Sequence, residues 1–235
     1  MNIPLRYLPL AGAFWAMTTT ASVDAQVYDD SPAAKLVDKL LGGPRWGSVA
    51  TFDVAGVTLG MTPDEARAVL RKARFVPASD DPAQDAWSAV VSQRVLGRIG
   101  GTVDQSKVPM FTRAKGAQGE TVEVWYAATQ DGAHVTEVKY RMPTARMDRT
   151  EFMKATLAKY GRPTVQEGLR SIYCTKPEKI CASYENKALP YLVVEPDYNL
   201  FVIDLMMGQR YQDERKASLA AAIETAAPKN AKASF

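Results

Sequence analysis

The chain has 235 residues, with 29 Lys and Arg against 26 Asp and Glu, a formal net charge of +3, and an apolar fraction of 46%. That apolar fraction is ordinary for a globular chain, so a sizeable core is expected. Cations and anions are interspersed rather than gathered into a stripe, which argues against nucleic acid or an anionic membrane as the partner.

Residues 1–25 read as a secretory signal peptide. Arg6 supplies the positive start, residues 8–17 the apolar run, and Val23-Asp24-Ala25 a small-residue cleavage site before Gln26. Pro9 and the Thr18-Thr19-Thr20 cluster leave that run too short to span a bilayer. No cysteine adjoins the cleavage site, so no lipid anchor is expected. The mature chain is expected to be periplasmic or secreted, with no transmembrane anchor after cleavage.

Residues 26–48 are predicted to form an N-terminal helix and linker. Ser31-Pro32 opens the helix, Leu36, Val37, Leu40 and Leu41 form its apolar face, and Gly42-Gly43-Pro44 stops it before a connector holding Trp46. An α+β domain follows over 49–226, beginning with a strand over 49–54. Thr62 is a natural N-cap, Pro63 suits the first helical position, and Glu65 can reach back to the cap amide, so a helix is predicted over 63–74. Its inward residues are Ala66, Val69, Leu70 and Ala73. A second helix is predicted over 83–97, with Trp87, Val90, Val91 and Val95 inward.

From Met110 the periodicity changes to two, and residues 120–142 form the clearest hairpin in the sequence. A tight turn at Asp131-Gly132 would put charges opposite core residues. A three-residue loop over 130–132 instead pairs Val122 with Tyr140, Val124 with Val138 and Tyr126 with Thr136. The other face then sets Glu123 opposite Lys139, Trp125 opposite Glu137 and Thr121 opposite Arg141.

Asp148 and Glu151 start a third helix over 149–160, with Phe152, Leu157 and Tyr160 inward and Gly161 followed by Pro163 ending it. Strands are predicted over 171–174, 180–184, 191–195 and 200–206, the last pair joined by a turn over 196–199. Residues 200–207 are apolar on both faces apart from Asp204, which marks a central strand. A polar, Ala-rich helix over 211–226 closes the domain, and 227–235 is expected to be a mobile tail. Helix followed by antiparallel strands thus occurs twice, in halves 49–142 and 149–206. The fold class is α+β, an antiparallel sheet with helices packed on one side in two tandem helix-then-strands repeats.

Cys174 and Cys181 are the only cysteines. Their spacing around Pro177, in an oxidising compartment, predicts a hairpin-closing disulfide. A redox-active pair usually has two intervening residues, and His134, the single histidine, cannot complete a zinc site.

Leu59, Gly60, Met61, Thr62 and Glu65, with a looser echo in Tyr160, Gly161 and Pro163, resemble the bacterial envelope superfamily of SmpA/OmlA lipoproteins and β-lactamase-inhibitor-protein-like folds. The resemblance covers about a third of the mature chain and rests on a structural motif. It implies a strand, a capped helix and an antiparallel sheet, often in tandem. The chain departs from SmpA/OmlA in lacking the lipidated cysteine and in its greater length.

Chemistry is sparse. Hydrolysis by a Ser-His-Asp arrangement needs a histidine as proton carrier, and His134 is expected to be a solvated strand-start residue. Neither G-x-S-x-G nor H-E-x-x-H occurs, and residues 97–101 lack the strand-before, helix-after setting of a phosphate cradle. Asp80 with Asp81, and Asp29 with Asp30, are read as solvated charge rather than acid/base machinery. Trp125 stands out. Alternation places it on the charged face beside Glu123 and Lys139, a pattern suited to a partner-binding hot spot unless the 83–97 helix or the N-terminal segment covers it.

The sequence therefore points to an exported, non-catalytic binding or scaffolding module of the bacterial envelope. It is expected to act without a cofactor or metal, with another envelope or extracellular protein as partner. The alternatives are a protein inhibitor of an extracellular enzyme and a carboxylate-dependent envelope hydrolase.

Overall fold

The computed structural model describes residues 49–77, 87–98, 111–175 and 188–227. The expected signal peptide, the 26–48 segment, Asp80, Asp81, Cys181, the strand expected over 180–184 and all of the expected tail but Ala227 lie outside these residues.

Where one strand was expected over 49–54, the chain makes a 3-10 turn, Val49–Thr51, and a small hairpin of β1 (Asp53–Val54) and β2 (Val57–Thr58). Ala55 and Gly56 both take positive φ, 53° and 83°, as a type I′ turn requires. Asp53 Oδ2 accepts a hydrogen bond from the Gly56 amide at 2.9 Å, which favours reversal over a longer strand.

Helix α1 (Pro63–Lys72) starts on a complete capping box. The Thr62 amide donates to Glu65 Oε2 at 2.8 Å, and the Glu65 amide donates to Thr62 Oγ1 at 3.4 Å. Just upstream, the Gly60 amide donates to the Val135 carbonyl at 2.9 Å, and the Val135 amide to the Met61 carbonyl at 2.8 Å. The Leu-Gly-Met-Thr turn is therefore a docking device that fixes where α1 enters the fold.

The remaining elements are β3 (Val76–Pro77), α2 (Trp87–Arg98), β4 (Phe111–Lys115), β5 (Thr121–Thr129), β6 (Gly132–Pro143), α3 (Arg149–Tyr160), β7 (Val165–Glu167), β8 (Arg170–Cys174), β9 (Tyr191–Asp197), β10 (Leu200–Met206) and α4 (Gln209–Ala226). Strands β3 to β10 form one antiparallel sheet in the order β3-β4-β5-β6-β10-β9-β8-β7. Each half thus contributes a capped helix and a four-stranded meander, and the last strands, β6 and β10, pair at the centre. The order reads the same from either edge, as an approximate twofold through the β6–β10 seam would give.

The β5–β6 hairpin corrects one expectation. Thr129 pairs with Gly132, so the loop is the two residues Gln130 and Asp131, and an irregularity at Trp125/Tyr126 leaves Thr136 as the extra residue. A tight turn plus a one-residue bulge reaches the same register as a three-residue loop. The pairs from Thr121–Arg141 to Trp125–Glu137 are therefore as expected, while Tyr126 pairs with Val135 instead of Thr136. The bulge has its own anchors: Thr136 Oγ1 donates to the Trp125 carbonyl at 3.3 Å, and the Met207 amide donates to the Thr136 carbonyl at 2.9 Å.

The core lies under one sheet face. Val122, Val124, Tyr126, Val138, Leu192, Val194, Phe201, Ile203 and Leu205 meet Ala66 and Leu70 of α1 and Phe152 and Tyr160 of α3. Phe152 stacks on Phe201 with centroids 4.3 Å apart. Thr156, rather than Leu157, is the other fully buried residue of α3, its hydroxyl satisfied by the Met153 carbonyl at 3.0 Å. Helices α2 and α4 form a separate pair, tied by Arg98 to Glu224 at 3.1 Å, with α2 also lying against β5. Trp87, Val90, Val91 and Val95 are only half-buried there.

Candidate functional site

The second sheet face over β4, β5, β6 and β10 is where the expected site residues meet. Alternation and register set its rows. Arg113, Glu123, Lys139 and Asp204 align across the four strands, and Phe111, Trp125, Glu137 and Met206 form the adjacent row.

Glu123 is 8% exposed, unusually low for a carboxylate. One oxygen accepts from Arg113 Nε at 2.9 Å and Nη2 at 2.6 Å, and the other from Arg141 Nη1 at 2.8 Å. Burial acts to raise its pKa, but the hydrogen bonds from Arg141 and Arg113 outweigh it and hold the carboxyl below its usual range. Although Glu123 sits opposite Lys139 in register, its bonds run to the two arginines instead. The two guanidiniums engage both oxygens with three N–H donors, one oxygen taking the Arg113 fork and the other a single bond from Arg141.

Lys139 is engaged elsewhere. Its Nζ lies 3.0 Å from Glu137 Oε1 and 3.0 Å from Asp204 Oδ2. Burial acts to lower its pKa, yet the two carboxylates together raise it. Burial pushes Asp204 up to about 6 despite Lys139. The Asp204 side chain is the deeper of the two, 15% exposed against 25%, so it loses more hydration than an ammonium shared with Glu137 returns. Its Oδ1 is buried with no hydrogen-bond partner among the described residues.

Trp125 is half-buried and stacks on Phe111, with ring centroids 4.9 Å apart and planes at 28°. Arg113 Cζ lies 5.6 Å from the Phe111 ring centroid, so the aromatic pair and the ion-pair network form one continuous surface. Alternation in the sequence placed Trp125, Glu123 and Lys139 together. Arg113 and Phe111 were missed because β4 was not separated from the following hairpin, although the alternation in its Phe-Thr-Arg-Ala-Lys sequence carries the signal.

His134 and Cys174 lie away from this face's ion pairs. His134 is not solvated at a strand start: it is half-buried within β6, and its Nδ1 lies 3.0 Å from the Gly60 carbonyl oxygen. It thus holds the turn into α1. Cys174 ends β8 and is 4% exposed.

Among the described residues, no group of three His, Cys, Asp or Glu side chains could hold a metal ion. No described helix is long and apolar enough to cross a membrane. No family model, curated protein or solved structure matches the chain. Chemically, the second face offers a stacked aromatic pair bordered by ion-paired groups whose geometry is fixed by the strands beneath them.

Proposed function

We propose that the chain is an exported, non-catalytic binding module of the bacterial envelope that recognises another envelope or extracellular protein through the β4–β5–β6 face. The observation that carries this reading is the Phe111–Trp125 stack beside the Arg113–Glu123–Arg141 cluster. A rigid aromatic anchor beside charges already fixed in place binds with little ordering cost, and charge pairing around it sets specificity. Binding is favoured over proton-transfer chemistry because Lys139 engages both Glu137 and Asp204, leaving neither carboxylate unopposed.

The test is a photo-crosslinking amino acid at position 125 in cells, followed by titration of the purified captured protein with wild type and with Trp125→Ala. Trp125→Ala is expected to weaken binding at least about 30-fold, equivalent to about 2 kcal/mol. The fold should lose about 1 to 2 kcal/mol, because the Phe111 stack is broken. A stability loss of about 3 kcal/mol or more, with unchanged affinity, would return Trp125 to the core and remove this support.

A further inference from the structure

The β9–β10 hairpin ends in two loop residues, Tyr198 and Asn199, between the paired Asp197 and Leu200. The expected turn over 196–199 is thus tighter, with Pro196 and Asp197 still in β9. Tyr198 has φ of 48° and is 100% exposed. A bulky side chain rarely holds positive φ, and hairpin turns normally place Gly, Asn or Asp there. Asn is the very next residue, so a suitable residue adjoins the site and the strained position still carries the aromatic ring.

Among the described residues the ring packs on nothing, so none of their packing requires it. The loop is held from the other side: the Thr144 amide and hydroxyl both donate to the Asn199 carbonyl, at 2.9 and 3.2 Å. The corresponding tip in the first half, Gln130 and Asp131, is polar and has no non-glycine residue at positive φ. Strain held at an exposed aromatic by a fixed tether is the pattern of a pre-organised contact residue.

The surroundings extend the contact. Leu169, in the β7–β8 turn at the same end of the sheet, is 48% exposed. Asp197, directly before the ring, is exposed and makes no ion pair among the described residues, whereas Arg170 engages Glu167 at 3.9 Å and Glu195 at 3.2 Å. A convex aromatic tip flanked by carboxylates fits a concave protein site with a cation at its mouth. The same carboxylates disfavour an anionic bilayer or nucleic acid.

We infer that the Tyr198 tip is a second contact element that inserts into a cleft with a basic rim on a protein partner. This rests on the binding-module reading but not on Trp125, from which it differs in half, sheet end and chemistry.

The experiment places the photo-crosslinker separately at positions 198, 125 and, as an exposed control, 214, in the full-length exported protein. The purified captured protein is then titrated with wild type, Tyr198→Phe, Tyr198→Gly and Asp197→Asn. Position 198 should capture one discrete protein that position 214 does not. Tyr198→Gly should weaken binding by at least tenfold while raising the melting temperature, because glycine relieves the positive φ. Tyr198→Phe should keep affinity within threefold, and Asp197→Asn should lose about fivefold. Equal capture at 198 and 214, unchanged affinity in Tyr198→Gly, or Tyr198-dependent sedimentation with phosphatidylglycerol vesicles would overturn the inference. Capture at 125 without capture at 198 sinks this inference alone. Capture at neither position sinks the binding-module reading with it.

Discussion

The two halves of the sheet share an element order and one core face, yet their second faces differ in what fills the middle of each. In the first half that face carries the Phe111–Trp125 stack and Glu123 paired with Arg113 and Arg141, with Lys139 paired to Glu137 beside them. In the second half the corresponding face buries Ile172, Val193 and Val202, at 1%, 2% and 7% exposure, and its ion pairs lie around them: Arg170 with Glu167 and Glu195, and Asp204 with Lys139 across the seam. Connections differ too. The first half interposes α2 between β3 and β4, whereas β7 and β8 join through a tight turn. The core face has to match because both halves bury it against equivalent helices. Their caps agree closely: Thr62 has φ −70°, ψ 159° and Asp148 has φ −72°, ψ 160°. On the second face the halves diverge: the first presents the half-buried Trp125 stacked on Phe111, and the second buries Ile172, Val193 and Val202.

Truncations in the shared core should have the largest effects. Phe152→Ala, which removes the stack on Phe201, should cost about 4 kcal/mol, and the first-half Leu70→Ala about 3 kcal/mol. Because β6 and β10 join the halves into one sheet, urea unfolding of each variant should remain a single transition. Two separated transitions would show that the halves fold independently.

A disulfide between Cys174 and Cys181 is proposed for the second half alone. Its loop of about eight residues corresponds to about 2.5 kcal/mol in the chain-entropy picture. Titration of the denatured, unreduced protein should find no free thiol, and replacing both cysteines with serine should lower the melting temperature without altering partner affinity. Two free thiols would remove the proposal.

On the second sheet face, Asp204 in β10 and Glu123 in β5 respond to pH in opposite senses. Asp204 titrates at about 6 in the folded protein, above its unfolded value. Its contribution to stability is complete at pH below about 4 and is lost as pH rises through 6. Asp204→Asn should therefore flatten the stability profile between pH 4 and 7 and gain about 2 kcal/mol at pH 8, once the loss of one Lys139 partner is allowed for. Glu123 is depressed, so its contribution is present above the unfolded carboxylate range and is lost as pH falls. A steeper profile in Asp204→Asn would show that Lys139 outweighs burial.

The two helix caps, equivalent in the two halves, should each contribute little. Thr62→Ala and Asp148→Ala should each cost about 1 kcal/mol and add within about 0.5 kcal/mol in the double variant. Thermal unfolding of the single and double variants measures this directly.

Local sequence alone determined the helix starts at Thr62 and Asp148, the central strand 200–206, and the face on which Trp125 stands. Each depends on residues within a few positions of one another: a cap side chain bonding three residues on, or a strict alternation of period two. The tertiary structure decided what joins distant segments. Thr136 bulges out of β6 beside the chain leaving β10, His134 is drawn to the Gly60 carbonyl, and Glu123 turns from Lys139 to Arg113 and Arg141. Asp204 looked like a lone polar interruption until β6 paired with β10 and set Lys139 opposite it. Tyr198 gave no sign of strain in the sequence, since positive φ there follows from the length of a loop whose strands are fixed by their own pairing. Such features depend on register between strands far apart in the chain, which no local pattern encodes.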